Sequence, residues 1–418
     1  QRQMCIRDSR TTDELPFAGV VLQRNLPPDG DPAHALMAVV SGASYVHSHA
    51  SGMALELYGA GQVLGPNSGK GTYTTDEHEN FRRLFAAHNS VIVNGASRSA
   101  GAWVNLGIDT VKKIALEPAV GAAPVSADHS FALTGFADNL GGDVRAQQER
   151  LVGLVRTSAA TGYYVDVFRS RAPTPDQFHD YLYRNLGESV TLDTAAGPLA
   201  LADAPGRFVP APDTKWSRNR TFLYPGWHFF KSPQASAPFA GTVTARFDAA
   251  QLKPAPAAMR LFIPGAEGRE YARALALETK EAPSPYDKSP APVLVIRQRG
   301  EAWTRPFAVI YEPTAAAGTI QAVTALTRRG EFAGFKIVQQ IAGRARTDYV
   351  LVLPTATSTY EDAALGLSFT GRYAVVSLDE RDACRYLYVG EGSRIKFRRH
   401  ELAAAPAAYS EFVAPATR

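Results

Sequence analysis

The chain has 418 residues, of which 45% are hydrophobic and 20% charged, with a formal net charge of +4 at pH 7. This is apolar enough for a sizeable core and long enough for two or three domains, or for one large sandwich with an appendage. No apolar run approaches the ~18 residues of a membrane-spanning helix, the two cysteines, Cys5 and Cys384, make neither a disulfide framework nor a thiolate zinc site, and no arginine/lysine cluster interleaved with aromatics marks a nucleic-acid surface.

In chain order, the opening QRQMCIRDSR has no strand or helix period and looks like translated adapter sequence; residues 1–14 are read as a non-native or disordered tail. From there the chain favours β structure throughout. Residues 17–22 and 35–40 read as strands around the loop Pro27-Pro28-Asp29-Gly30, and 53–58, 62–64 and 90–93 follow. Leu84 to Ala87 adds a helical turn. Residues 111–116, 150–156 and 163–169 read as strands, the last (GYYVDVFRSR) alternating as a half-buried strand does. Residues 172–183 read as a loop. Strands resume at 241–247, 259–263, 293–297 and 307–312, separated by turn signals and by proline-rich loops at 252–258 and 280–292. The Ala342-Gly343 punctuation suggests a boundary, after which 348–353, 366–369, 373–378, 385–389 and 395–398 read as short strands. The expected fold is all-β: a large antiparallel sandwich over 15–342, a smaller C-terminal β region over 343–402, and a flexible Ala/Pro-rich tail over 403–418.

Five of the nine histidines, His34, His47, His49, His78 and His88, fall in or just before residues 45–95. Imidazole is the commonest protein metal ligand and a frequent general base near neutral pH. His47 and His49, two apart at the end of a strand-like run, leave the same face of a strand. His88-Asn89 precedes the β-branched run Ser90-Val91-Ile92-Val93. All three histidines thus sit at strand ends beside loops, where sites are commonly built.

The stretches HSHASGMALELYG, VLGPNSGKGTY and AAHNSVIVNG, with weaker support from GYYVDVFRSR, FHDYLYRNLG, PFAVIYEP and YLYVGEG, resemble the heparinase II/III-like polysaccharide lyases. The resemblance implies the β-sandwich part of an enzyme that breaks a uronate-containing, acidic polysaccharide by β-elimination in the periplasm or outside the cell, with an upstream helical toroid missing from this chain. By motif position, His47 resembles the histidine lining the catalytic cleft. His49 and His88 resemble two ligands of a structural zinc, and Asn67 stands where the family has an aspartate as third ligand. An amide oxygen can ligate zinc but brings no charge; Asp76, Glu77 and His78 are alternative donors nearby.

Two other readings stay open from the residues alone. One is a non-catalytic carbohydrate-binding or structural sandwich; the other is a cupin-type metal protein using Glu56, which stands seven residues after His49. Several residues read more simply: Glu56 as solvent-facing, Arg82-Arg83 as a solvated loop face, Tyr73 as packing, His179-Asp180 as a structural hydrogen-bonding pair, and Trp227-His228 as a packed sandwich corner. Oligomeric state is not legible.

Overall fold

Strands dominate because β-branched and aromatic residues recur at period two between Gly-, Asn- and Pro-containing turns. The computed structural model describes residues 11–27, 29–42, 49–95, 110–139, 145–208, 226–315 and 317–414. Within them the strands build antiparallel sheets of five, nine, six and seven strands, and the chain is all-β. The helical pieces are single turns of three to five residues. Among the described residues no helix is long and apolar enough to cross a membrane.

The nine-stranded sheet is the middle layer, and the strand Gly162–Arg171 shows why. It alternates as its sequence suggests, yet both faces are buried. Tyr163, Val165 and Val167 join one apolar cluster, while Tyr164 and Phe168 join another. The polar residue in the second set, Asp166, is buried and paired with Arg150 at 2.6 Å. A carboxylate is tolerated at such depth only with a partner of this kind.

On one side of this layer, Val152, Leu154 and Val309 pack against Leu55 and Leu57 of the five-stranded sheet and against Tyr181, Val293 and Val295 of the six-stranded sheet. On the other, Phe131, Leu151 and Ile310 pack against Phe335, Val350 and Tyr373 of the seven-stranded C-terminal sheet. The outer face of that last sheet carries its own apolar cluster, including Leu351, Val376 and Leu387.

The C-terminal sheet starts earlier than the punctuation at residue 342 suggests. Its first strand is Ile320–Arg328 and its last is His400–Val413. Ala342 and Gly343 form the two-residue turn of the hairpin joining Glu331–Ile341 to Arg344–Val352, with Ile341 paired to Arg344. Both turn residues have positive φ, 48° and 81°, as hairpin turns matched to strand twist require. Residues 403–413, expected to be a free tail, instead continue a strand paired with Cys384–Phe397.

The region 172–183, read as a loop, ends in the strand Phe178–Arg184. That strand lies between Ala291–Arg299 and Val91–Val93 in the six-stranded sheet. Its polar residues hide the strand signal. Asp180 is buried and is held by both Nε and Nη2 of Arg297, at 2.8 and 2.7 Å.

Candidate functional site

Three segments converge where the five-stranded sheet meets the six-stranded one. The first runs from His49 into Ala54–Gly59. The second is the Gly65–Gly71 loop after Gln62–Leu64. The third is the turn Phe85–Ala87, which ends on His88 just before Val91–Val93. A hydrogen bond from the Ala50 amide to the Arg83 carbonyl, 2.6 Å, ties the first segment to the third. The result brings His49 and His88 together, with ring centres 5.5 Å apart. His78, first residue of the short π-helical turn His78–Arg82, places its ring 6.3 Å from His49. The Tyr73 ring lies edge-on to His78 at 4.8 Å.

Hydrogen bonds assign a different tautomer to each of two rings. Glu56 accepts from both the side-chain amide and the backbone N–H of Asn67. This turns the Asn67 Oδ1 towards His88, whose Nδ1 lies 2.7 Å away. Because that oxygen only accepts, His88 Nδ1 carries the proton and Nε2 keeps its lone pair. Nε2 is buried and has no hydrogen-bond partner among the described residues. In His78 the arrangement is reversed. Nδ1 accepts from the Gly71 N–H at 3.2 Å, so the proton sits on Nε2, also buried and unpartnered among the described residues.

Electrostatics keep the cluster uncharged. Burial, with help from His78 and Arg83, pushes His49 down to about 4. Burial, with His49 and Arg184, holds His88 well below the usual histidine range. Burial also lowers His78, and it raises Glu56 against the hydrogen bonds from Asn67. Neutral imidazole is the state that binds metal. Two imidazoles on one tetrahedral zinc, with Zn–N of about 2.0–2.1 Å, have ring centres about 5–6 Å apart, as His49 and His88 do. Among the described residues no three His, Cys, Asp or Glu groups converge on one ion; the third group beside the histidine pair is the Asn67 amide.

Not every expected residue is here. His47 lies outside the described residues. Asn67 reaches the cluster as the acceptor that orients His88. Glu56 is half-buried rather than solvent-facing, with its carboxylate turned onto Asn67. Arg82 and Arg83 are buried. Arg82 donates to the carbonyls of Ser68 and Glu278 and pairs with Glu77 and Glu278; Arg83 pairs with Glu79 at 2.7 Å. Charged residues in a loop read as solvated, and although Glu77 and Glu79 stand close in sequence, nothing local signals Glu278, 196 residues on from Arg82. His179 sits away from the cluster, with Nε2 3.0 Å from Gln177 Oε1. Trp227 stacks on Phe208 at 5.0 Å, while His228 faces Asp76 at 3.5 Å.

Two family profiles match the chain. "Heparinase II/III-like, C-terminal" covers residues 18–119, which include the whole histidine cluster. "Endo-acting ulvan lyase C-terminal domain" covers residues 320–414, the C-terminal sheet. An endo-acting ulvan lyase of Formosa agariphila is 35% identical over 395 residues, covering 92% of this chain and 47% of that protein. The chain therefore spans about half the length of this curated relative. Among solved structures, the heparan sulfate lyase HepC from Pedobacter heparinus aligns with a TM-score of 0.45 at 13% identity, over 82% of this chain and 42% of that one. A heparinase III gene product aligns with a TM-score of 0.46 at 13% identity, over 81% and 42%. By its two profile matches and its identity to the ulvan lyase, the chain belongs to the heparinase II/III-like family.

Proposed function

We propose that this chain is the β-structured part of a polysaccharide lyase that cleaves a uronate-containing acidic glycan by β-elimination, completed by a helical domain upstream. The observation that carries this reading is the neutral pair of half-buried His49 and buried His88 with its Asn67–Glu56 relay, lying inside the segment that matches the heparinase II/III-like profile. Ulvan is the first polymer to test, because the 35% identical relative is named an ulvan lyase. A polymer does not cross a membrane unaided, so a periplasmic or secreted setting goes with the proposal.

β-Elimination removes a weakly acidic proton α to the uronate carboxylate and expels the glycosidic oxygen. The carboxylate must be neutralised, a base placed on the proton, and the leaving oxygen protonated. In this reading His47 is the proton-transfer or carboxylate-neutralising group. His49, two residues on, anchors the segment that carries it through its contact with His88. A zinc ion here would take His49 and His88 as two of its ligands, with Asn67 orienting His88 from behind; the described residues bring no third His, Cys, Asp or Glu to them. When bound, the ion supplies a fixed positive charge that cross-links the two segments. The chain's own contribution is to keep both imidazoles neutral and to hold His88 in one tautomer.

The test uses the protein extended to the full length of its gene, incubated with ulvan, heparan sulfate, hyaluronan and alginate. Unsaturated uronate ends, read by ultraviolet absorbance, are expected from at least one polymer. Saturated ends alone, or no cleavage of any of them, would overturn the lyase reading. Elemental analysis should find about one zinc per chain, lost in His49→Ala; no metal in either protein would remove the zinc part of the proposal.

A further inference from the structure

We propose that Arg150, locked by Asp166, is a positioning residue that sets the spacing of the His49/His88 pair. The inference rests on the reading of that pair as the functional site.

Arg150 lies in the strand Arg145–Arg156 of the middle sheet and is fully buried. Its Nε and Nη2 donate to the two oxygens of Asp166, at 2.9 and 2.6 Å. Tyr181 donates to the same carboxylate at 2.6 Å and is hydrogen-bonded in turn to the Tyr311 hydroxyl. The guanidinium packs over the Phe168 ring, 5.2 Å from its centre. These contacts fix the plane of the guanidinium, which leaves Nη1 aimed out of the sheet. Nη1 donates to two backbone carbonyls, Met53 at 2.6 Å and Asn89 at 2.7 Å.

Those two carbonyls are the connection to the site. Met53 follows the His49 segment as it enters its strand, and Asn89 follows His88 directly. The Asn89 carbonyl also accepts from the Leu55 amide at 3.0 Å. The Asn89 side chain extends the clamp, donating to the carbonyls of Leu55 at 3.1 Å and Gly65 at 2.7 Å and accepting from the Arg184 amide at 2.7 Å. One arginine and one asparagine thus gather the segments carrying His49, Glu56, Asn67 and His88.

A sandwich core does not need this pair for stability. Replacing a buried ion pair by apolar residues of similar volume is often neutral or stabilising, so its worth lies in the geometry it specifies. Lysine could not take over: a single ammonium cannot hold a carboxylate bidentately and two carbonyls in fixed directions.

The experiment compares Arg150→Lys and Asp166→Asn with Asp348→Asn, which alters an equally buried carboxylate in the C-terminal sheet. Acylation of His49 and His88 by diethyl pyrocarbonate is followed by peptide mass mapping, at a temperature where circular dichroism shows each protein folded. Zinc affinity is measured in parallel. Arg150→Lys should speed acylation of both histidines by about tenfold through local opening and weaken zinc by about 10- to 100-fold. Asp166→Asn should shift both in the same direction by less, and it decides the matter if Arg150→Lys does not fold. Asp348→Asn should leave both at parental values even where its melting temperature falls. Protection of His49 and His88 that is unchanged in the Arg150 and Asp166 variants, or equally lost in Asp348→Asn, would overturn the proposal. If the parent binds no zinc, the metal reading fails separately and the acylation rates still judge the clamp.

Discussion

At the scale of single residues, the cluster depends on a relay in which Glu56 holds the Asn67 amide and Asn67 holds His88 Nδ1. Outer partners of this kind fix ligand tautomers, and losing one typically costs about 10- to 100-fold in metal affinity. Asn67→Ala should therefore weaken zinc binding by that factor while leaving the melting temperature of the metal-free protein within a few degrees; an unchanged affinity would show that the relay does not act on the site. A second buried histidine is better placed to report on stability. His129 stacks on Tyr388 with ring centres 5.2 Å apart, and neither of its nitrogens has a hydrogen-bond partner among the described residues. Burial, then Arg346, pushes it down to about 3 from an ordinary 6.5. With the folded value depressed, the unfolded chain binds the extra proton first. Its contribution is neutral above pH 6.5 and destabilises increasingly as pH falls towards about 3. His129→Phe should flatten the fall in melting temperature between neutral pH and pH of about 4.5, and parallel curves for the two proteins would contradict this. The pairing of His49 with His88 was an expectation of the family resemblance, carried by motifs that survive in one dimension, and the structure sets their rings 5.5 Å apart. The setting of Glu56 and Arg82 was not legible, because what takes them out of water is a set of partners, Asn67 for one and Ser68 and Glu278 for the other, that only folding brings near.

At the scale of elements, period two located many strands but left His129–Asn139, Ser189–Thr194, Glu270–Ala276, Ile320–Arg328 and Glu331–Ile341 unread. Leu367–Leu378 reads as two pieces because Gly371 interrupts it; the structure shows one strand with a register shift at Thr370/Gly371. A Cβ on Gly371 would meet the Phe369 ring at 2.5 Å and the Gly392 Cα at 2.6 Å, so glycine marks a close approach there and not an end. Phe178–Arg184 was missed because His179 and Asp180 break its apolar pattern, while cross-strand Arg297 satisfies the carboxylate. At the Ala342-Gly343 turn, Ala342 holds φ of 48°, which costs a residue with a Cβ about 1 kcal/mol relative to glycine or asparagine. Ala342→Gly should raise stability by up to about that amount in chemical denaturation. A loss of stability would show that the turn is not strained as its φ implies.

At the scale of the molecule, the middle sheet is a shared wall. Its Tyr163, Val165 and Ile310 face Phe335, Val350 and Tyr373 in one continuous cluster. Buried polar contacts cross the same boundary, including Tyr163 to Asp348 at 2.9 Å and Tyr388 to Glu117 at 2.6 Å. The C-terminal sheet should not melt alone. Phe335→Ala is expected to cost about 3–5 kcal/mol and to lower one cooperative transition; two separated transitions in calorimetry would refute the shared core.

Composition, alternation and turn residues by themselves determined that this chain is all-β and that its strands run antiparallel between short turns, while His49 and His88 were singled out by the resemblance of the motifs that carry them. These are local properties, set by backbone preference and by side chains a few residues apart. Only the tertiary structure decided which faces are buried, where the C-terminal sheet begins, and which polar groups belong to the interior. Burial of a charge is settled by its partner, and the partners here, Arg150 with Asp166, Asp180 with Arg297, and Glu56 with Asn67, meet across strands and loops rather than along the sequence.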